Sequence, residues 1–250
     1  MTDIATHMAA RPRPTARRNT FFARAALAML ACVLLSFPLT FYWPLVTGTH
    51  HFGALFFIHG AAFFGWMFLY VYQTHLIASG RTARHRELGL AGVALSTLMV
   101  PLGIAAAMLA ARHRQETGDP EPFAFTLYNV VDIGLFAALM TASFASVTRH
   151  IEWHRRFTYA AALCLVGPAI SRWFLPFPPA PPFTDFGPNI LADLFLVALF
   201  WHDKRTLGRV HPTTIWVTAI LVPIHFIEPV FTTSVAWKHI APALFSLTQY

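Results

Sequence analysis

Eight polar or ionisable residues lie inside long apolar runs of this sequence, where a polar side chain needs a partner. They are His59, Asn129, Asp132, Arg172, Asn189, Asp193, His225 and Glu228. A charged residue at the middle of a membrane helix costs about 2.5 to 3.5 kcal/mol on the insertion scale. We therefore expect these side chains to face one another, a polar cavity or a bound ion.

Five of these residues have the chemistry of metal ligands. Two imidazoles and three carboxylates suit iron, manganese or zinc, and the predicted metal ligands are His59, Asp132, Asp193, His225 and Glu228. Arg172 can neutralise one acid only, and we expect it to form a structural ion pair. Two other interpretations stay open: a polar cavity for substrate or proton movement, and an arginine–carboxylate pair that only holds helices together.

A second set of candidate ligands lies at the ends of the apolar runs. It contains His75, His85, His154 and His202. Histidines on facing helices are the usual axial ligands of haem b in a bundle, and the absence of CxxCH excludes covalent attachment. Taken singly, each histidine is better explained as an ordinary polar residue at the membrane interface than as a ligand; taken together, the four are placed as haem ligands would be.

The elements that must position these residues are membrane helices. Of the 250 residues, 56% are hydrophobic and 12% charged, against about 25% charged in soluble domains. A bilayer-spanning helix needs about 20 apolar residues, and Pro-rich segments cannot continue one. The sequence predicts an all-α, polytopic bundle of about seven transmembrane helices, over residues 25–46, 52–78, 88–111, 123–147, 157–175, 189–201 and 213–231.

The distribution of basic residues predicts the orientation. Fourteen of the 18 Lys and Arg fall in alternate segments, starting with the N-terminal one, which predicts a cytoplasmic N-terminus by the positive-inside rule. Residues 1–24 are then a basic cytoplasmic tail, 25–233 the membrane domain and 234–250 a short outer segment. Because the basic residues lie between apolar runs, we expect membrane lipid and no nucleic acid as a partner.

Two predicted hairpins resemble each other. RTARHRELG precedes the third helix and RHIEWHRRF precedes the fifth, and each places a His-Arg pair at a helix entrance. Two similar hairpins would form a four-helix core, although basic turns alone would give the same pattern.

The segment from His59 to Gly89 carries a resemblance to known proteins. His59, Gln73, Arg81, His85-Arg86 and Gly89, with the later His154-Arg155 and Arg172, resemble uncharacterised bacterial multi-helix membrane proteins, some of which look like small cytochrome-oxidase-assembly or haem-handling proteins. The resemblance covers the second to fifth helices. It implies that His59, Gln73, His85, His154 and Arg172 are functional positions, whereas the acidic and His-bearing last two helices depart from it.

These observations predict a multi-pass protein of the bacterial inner membrane that binds haem b or a divalent metal ion. It would act in respiratory electron transfer or oxidase assembly, with a quinone or a respiratory complex as partner. One alternative is a proton-coupled transporter that uses the His/Asp/Glu/Arg cluster. The other is a non-catalytic membrane assembly factor.

Overall fold

The protein is a bundle of α-helices, as its apolar runs predict. The computed structural model describes residues 20–178 and 180–246, and these contain no β-strand. Most of the predicted tail, residues 1–24, and the last four residues lie outside the described part. The helices are α1 Phe21–Leu35, α2 Trp43–Thr47, α3 Ala54–Ala78, α4 Thr82–Glu87, α5 Gly89–Glu116, α6 Ala124–Ser146, α7 Ile151–Ser171, α8 Phe183–Leu207, α9 Pro212–Thr232 and α10 Val235–Ser246.

Six helical segments of the described residues are long and apolar enough to cross a membrane. They are Phe21–Thr47, Ala54–Ala78, Thr82–Glu116, Ala124–Ser146, Phe183–Leu207 and Pro212–Thr232. The multi-pass, all-α architecture predicted from the sequence is thereby confirmed. Helix α7 is also 21 residues long, but its first two turns carry Glu152, Arg155 and Arg156, and it is not one of these six segments. Counted with α7, the described residues hold seven long helical segments.

Helix α7 is the centre of the bundle. It packs against α1, α6, α8 and α9, and its Ala160, Ala161 and Ala162 are fully buried. Small residues let helix backbones approach closely, which is how helices associate without a hydrophobic driving force in lipid. The most polar of the long helices is therefore shielded by its neighbours.

The first and sixth spans differ from their predicted bounds. After α1, residues Pro38–Tyr42 form a π-helical turn that runs into α2, because Pro38 lacks the amide that would continue regular hydrogen bonding. Helix α8 begins at Phe183, six residues before the predicted start, with Pro188 inside it. The extended proline-rich loop is therefore shorter than predicted.

The hairpin turns divide the bundle into two ends. We call the end with residues 79–88, 147–156 and 202–211 the basic end, and the end with residues 47–53, 117–123 and 172–182 the cavity end. Gly208 closes α8 with a φ of 70°, a left-handed conformation that glycine adopts readily. The C-terminal helix α10 packs through Trp237 and Ala241 against Leu127 of α6.

Candidate functional site

A cavity of about 340 Å³ opens between α1, α3, α5, α6 and α7 at the cavity end. Its walls are mainly aromatic and aliphatic. The aromatic part consists of Phe37, Phe41, Phe52, Phe56, Phe63 and Phe64, from α3 and from the segment around α2. The volume and the apolar lining are those of small-molecule sites in proteins.

Six polar side chains line this cavity, namely Thr40, His59, Arg114, Asn129, Asp132 and Arg172. Thr40 Oγ1 and His59 Nδ1 are buried and have no hydrogen-bond partner among the described residues. An unsatisfied buried polar atom costs about 1 to 3 kcal/mol. A ligand that bound in this cavity and formed hydrogen bonds with both atoms would remove this cost.

Helix α3 positions His59 as the sequence predicts. Along its inward face, His59 reaches the cavity and stacks on Phe63 at 4.1 Å between ring centres. Trp66 and Tyr70 are buried further along the same face, and their ring centres are 5.5 Å apart. Gln73 completes the face at the basic end, where it bonds His85. Residues separated by multiples of 3.6 share one helix face, so this alignment was readable from spacing.

Arg172 does not form the expected structural ion pair. Its guanidinium donates to the carbonyl of Pro168 and lies 4.5 Å above the Phe37 ring. No carboxylate of the described residues forms a salt bridge with it. Helix α7 ends at Ser171 and the backbone amide of the C-cap residue Arg172 bonds the Ala169 carbonyl, so the Pro168 carbonyl is left without its regular amide donor and accepts from the Arg172 side chain instead. A cation without a carboxylate partner thus lines the cavity.

The acidic residues form a second polar group beside the cavity. His225 Nδ1 and Asp193 Oδ1 are 2.8 Å apart, and Asn189 Nδ2 donates to the His225 carbonyl at 3.0 Å. Glu228 is buried and its Oε1 has no partner among the described residues. Glu228 interacts electrostatically with Asp132, which connects this group to the cavity wall.

The five predicted metal ligands do not form one site. Asp193 and His225 pair with each other, Glu228 lies near Asp132, and His59 faces the cavity from α3. Within residues 20–178 and 180–246, no three His, Cys, Asp or Glu side chains come together as a metal-ligand group. The residues present therefore do not fit a metal centre built from this set.

Of the four histidines predicted as haem ligands, two come together. The rings of His85 and His154 are 6.4 Å apart between centres. His75 Nε2 is instead 3.2 Å from an Arg81 nitrogen, and His202 stacks on Phe21 at 4.1 Å. The structure thus separates a histidine pair from two histidines with other contacts.

A buried ion cluster at the basic end was not predicted from the sequence. The guanidinium of Arg156 is bonded to both carboxylate oxygens of Asp203, and Glu152 Oε2 lies 2.5 Å from its Nη1. Thr214 Oγ1 and the amide of His211 also donate to Asp203 Oδ2, at 2.5 and 3.0 Å. In the sequence, Arg156 is part of RHIEWHRRF and cannot be told apart from the other basic residues of that turn. The available signal was Asp203, the lone acid in the basic segment DKRTLGRVHP.

Comparison with protein-family models, with curated proteins and with solved structures found no match.

Proposed function

We propose that this protein is a multi-pass protein of the bacterial inner membrane that binds a quinone in the cavity between α1, α3, α5, α6 and α7 and acts in respiratory electron transfer. The observation that carries the proposal is the pair of unsatisfied buried atoms, Thr40 Oγ1 and His59 Nδ1, inside an aromatic cavity. A quinone head has a flat ring and two carbonyl oxygens, and it carries an apolar tail. It therefore needs aromatic walls and a few hydrogen-bond donors.

The polar residues of the cavity supply the required chemistry. His59 and Arg172 can donate to the carbonyl oxygens, and Phe37 and Phe63 can stack against the ring. Reduction of a bound quinone to a quinol would take up two protons and two electrons, the electrons coming from a partner respiratory complex. Asp132 and His59 are proton-exchanging groups that line the same space, so the site can serve both the oxidised and the reduced ligand.

Titration of the purified protein with a short-chain quinone, followed by quenching of tryptophan fluorescence, tests this proposal. We expect binding that weakens about tenfold in His59→Leu and in Arg172→Gln, since a lost hydrogen bond to a buried group is worth about 1 to 3 kcal/mol. His239→Leu, on the exposed surface of α10, is the matched control and should bind normally. Equal affinity in all four proteins, or no quinone binding, would overturn the proposal.

A fatty acid provides the second arm of that experiment. It shares the apolar tail but presents a carboxylate, which Arg172 would attract. If the fatty acid binds with a lower dissociation constant than the quinone and displaces it from the protein, then the cavity is a site for anionic amphiphiles, and the quinone assignment fails.

A second candidate function is proton-coupled transport, and Glu228 is the observation that favours it. Its Oε1 is buried and has no partner among the described residues, and Glu228 interacts electrostatically with Asp132 at the cavity and with His225 of the Asp193–His225 pair. Pro223 and Pro229 lie inside α9 on either side of His225 and Glu228, where their missing amides leave backbone carbonyls of the helix without a regular donor. Ionisable residues inside membranes often form proton relays.

Glu228→Gln separates the two functions. It keeps the shape of the side chain and removes its titratable proton. In proteoliposomes, the transport hypothesis predicts that Glu228→Gln abolishes proton movement driven by a substrate gradient, whereas Glu121→Gln, at an exposed pair with Lys238, retains it. Normal quinone binding in Glu228→Gln, with no proton movement in the wild-type protein, would favour the first function. The assembly-factor hypothesis stays a prediction, because no contact of the described residues favours it.

A further inference from the structure

His85 and His154 form a pair at the basic end, across the bundle from the cavity. His85 is in α4, directly before α5, and His154 is in the first turn of α7. Both rings are partly buried, and their centres are 6.4 Å apart with the planes at 66°. The two residues come from different hairpins, so tertiary packing alone brings them together.

The hydrogen bonds of His85 fix its tautomer. The side chain of Gln73 donates from Nε2 to the His85 carbonyl at 3.2 Å. Its Oε1, which can only accept, is 3.0 Å from His85 Nδ1. The proton of His85 is therefore on Nδ1, and Nε2 carries a free lone pair.

The same reasoning applies to His154. Thr158 Oγ1 donates to the His154 carbonyl at 2.9 Å, so it accepts the proton of Ser143 Oγ at 2.7 Å. Ser143 Oγ and the Ser143 carbonyl then accept from His154 Nδ1 at 2.8 and 3.2 Å. The Nε2 of His154 thus also carries a lone pair, and neither Nε2 has a hydrogen-bond partner among the described residues.

The two hairpins build these histidines in the same way. In each, a polar residue near the end of one helix holds the Nδ1–H of a histidine at the entrance of the next, 12 residues later for Gln73 and 11 later for Ser143. This geometry explains the similarity of RTARHRELG and RHIEWHRRF. Metal-binding histidines nearly always donate their other ring N–H to such an acceptor, which fixes the ring and raises the basicity of the ligating nitrogen.

We propose that His85 and His154 are the two axial ligands of a haem iron. A porphyrin fills four positions in one plane and leaves two opposite positions, which two histidines complete without a third protein ligand. If the iron–nitrogen bonds have the length of about 2.0 to 2.1 Å known from zinc–histidine sites, two imidazoles on opposite sides of one metal ion have ring centres roughly 6 Å apart. The observed separation of 6.4 Å is of this size.

The charges around the pair suit the same ligand. Arg86 acts electrostatically on His85, and Arg155 acts on His154. Haem carries two propionates, and arginine is well suited to bind carboxylates. Arg155 also lies 3.2 Å from Glu152, so one of the two cations is shared with a side-chain acid.

The test is the absorption spectrum of the full-length protein, purified in detergent from cells supplied with a haem precursor. We expect one haem per chain with the spectrum of a low-spin, bis-imidazole iron. His85→Ala and His154→Ala should lose this spectrum, and added imidazole should restore it in both. His75→Ala, the matched control at the same end, should retain it because His75 has a different partner.

Gln73→Leu leaves both histidine ligands in place, and its effect is measured as a change in haem affinity. Loss of the acceptor for His85 Nδ1–H should weaken haem affinity about 10- to 100-fold, while size-exclusion elution stays unchanged. The proposal fails if the wild-type protein binds no haem when haem is added, or if haem stays low-spin in His85→Ala and His154→Ala without imidazole. Because these residues are remote from His59 and Arg172, haem binding and quinone binding can fail independently.

Discussion

At the scale of a single residue, Asp203 connects α7, α8 and α9. It is fully buried in α8 and accepts hydrogen bonds from Arg156 of α7, Thr214 of α9 and the amide of His211. A buried ion pair adds little stability relative to an apolar pair, but breaking it leaves an uncompensated charge. The cluster therefore acts as a fixed junction between helices.

We expect Asp203→Asn to destabilise the protein by about 3 to 5 kcal/mol, because the substitution leaves the Arg156 guanidinium buried without its carboxylate partner. Thermal unfolding in detergent measures the change. Glu87→Gln, at the exposed Arg84–Glu87 pair, should cost less than about 1 kcal/mol. The double variant Arg156→Met with Asp203→Leu should recover most of the loss, and a double variant as unstable as Asp203→Asn would contradict this account.

His211 makes the stability of the same region dependent on pH. Its Nδ1 accepts the Thr213 amide at 3.1 Å and caps α9. Desolvation, and then the charge of Arg156, lower the pKa of His211 below its ordinary value of 6.5. The folded protein thus favours the neutral ring that can accept this bond. The stabilisation is present above pH 6.5 and is lost as the pH falls through the folded pKa.

We therefore expect unfolding temperatures to fall as the pH is lowered from 8 to 5, and His211→Asn to reduce this dependence. Asparagine is a good N-cap and does not titrate. The readout is the difference between the two proteins across the pH series, since other histidines contribute equally to both. Identical pH profiles would show that His211 is not the titrating cap.

At the scale of the elements, α5 and α6 approach each other closely at Gly103. A Cβ atom built on Gly103 would lie 3.1 Å from Ile133 Cγ1 and 3.3 Å from Phe63 Cζ. Gly134, on the outer face of α6, has nothing within 4 Å of the same atom. The first glycine therefore sets the distance between two helices that line the cavity, and the second does not.

Gly103→Val should lower stability by about 1 to 3 kcal/mol through overpacking, whereas Gly134→Val should have a small effect. Both substitutions add the same atoms and the same β-branch to a helix, so their intrinsic costs largely cancel. Thermal unfolding without added ligand is the measurement. Equal losses in the two variants would contradict the close approach of α5 and α6.

At the scale of the whole molecule, the bundle is asymmetric in charge. In sequence, the segments 79–88, 147–156 and 202–211 of the basic end hold nine Lys and Arg and three acids, whereas the segments 47–53, 117–123 and 172–182 of the cavity end hold one arginine and two acids. From the positive-inside rule we expect the basic end to face the cytoplasm. The cavity would then open near the outer face of the membrane and the histidine pair near the inner one.

Single cysteines test this orientation in a background with Cys32→Ser and Cys164→Ala. An impermeant maleimide should label Glu121→Cys in intact cells, and it should label Arg209→Cys only after permeabilisation. Both replaced side chains are exposed, so labelling reports the side of the membrane. The reverse pattern would place the proposed quinone site on the cytoplasmic side.

The sequence by itself determined the class of protein and the hairpin order. In a bilayer each backbone amide must be satisfied within its own segment, so long apolar runs fix helices without reference to the rest of the chain. The shared face of His59, Trp66, Tyr70 and Gln73 followed from helical spacing in the same way. The π-helical turn after Pro38 and the early start of α8 were less readable, because prolines there are tolerated through contacts with neighbouring segments.

Only the tertiary structure decided which polar groups meet. Arg172 takes the Pro168 carbonyl rather than an acid, Arg156 finds Asp203 47 residues away, and His85 faces His154 rather than His75 or His202. The cost of burying charge in lipid requires every such group to have a partner, but it does not say which one. The rotation of each helix about its axis and its depth in the membrane determine which partner each group contacts. Both are set by packing against helices distant in the sequence.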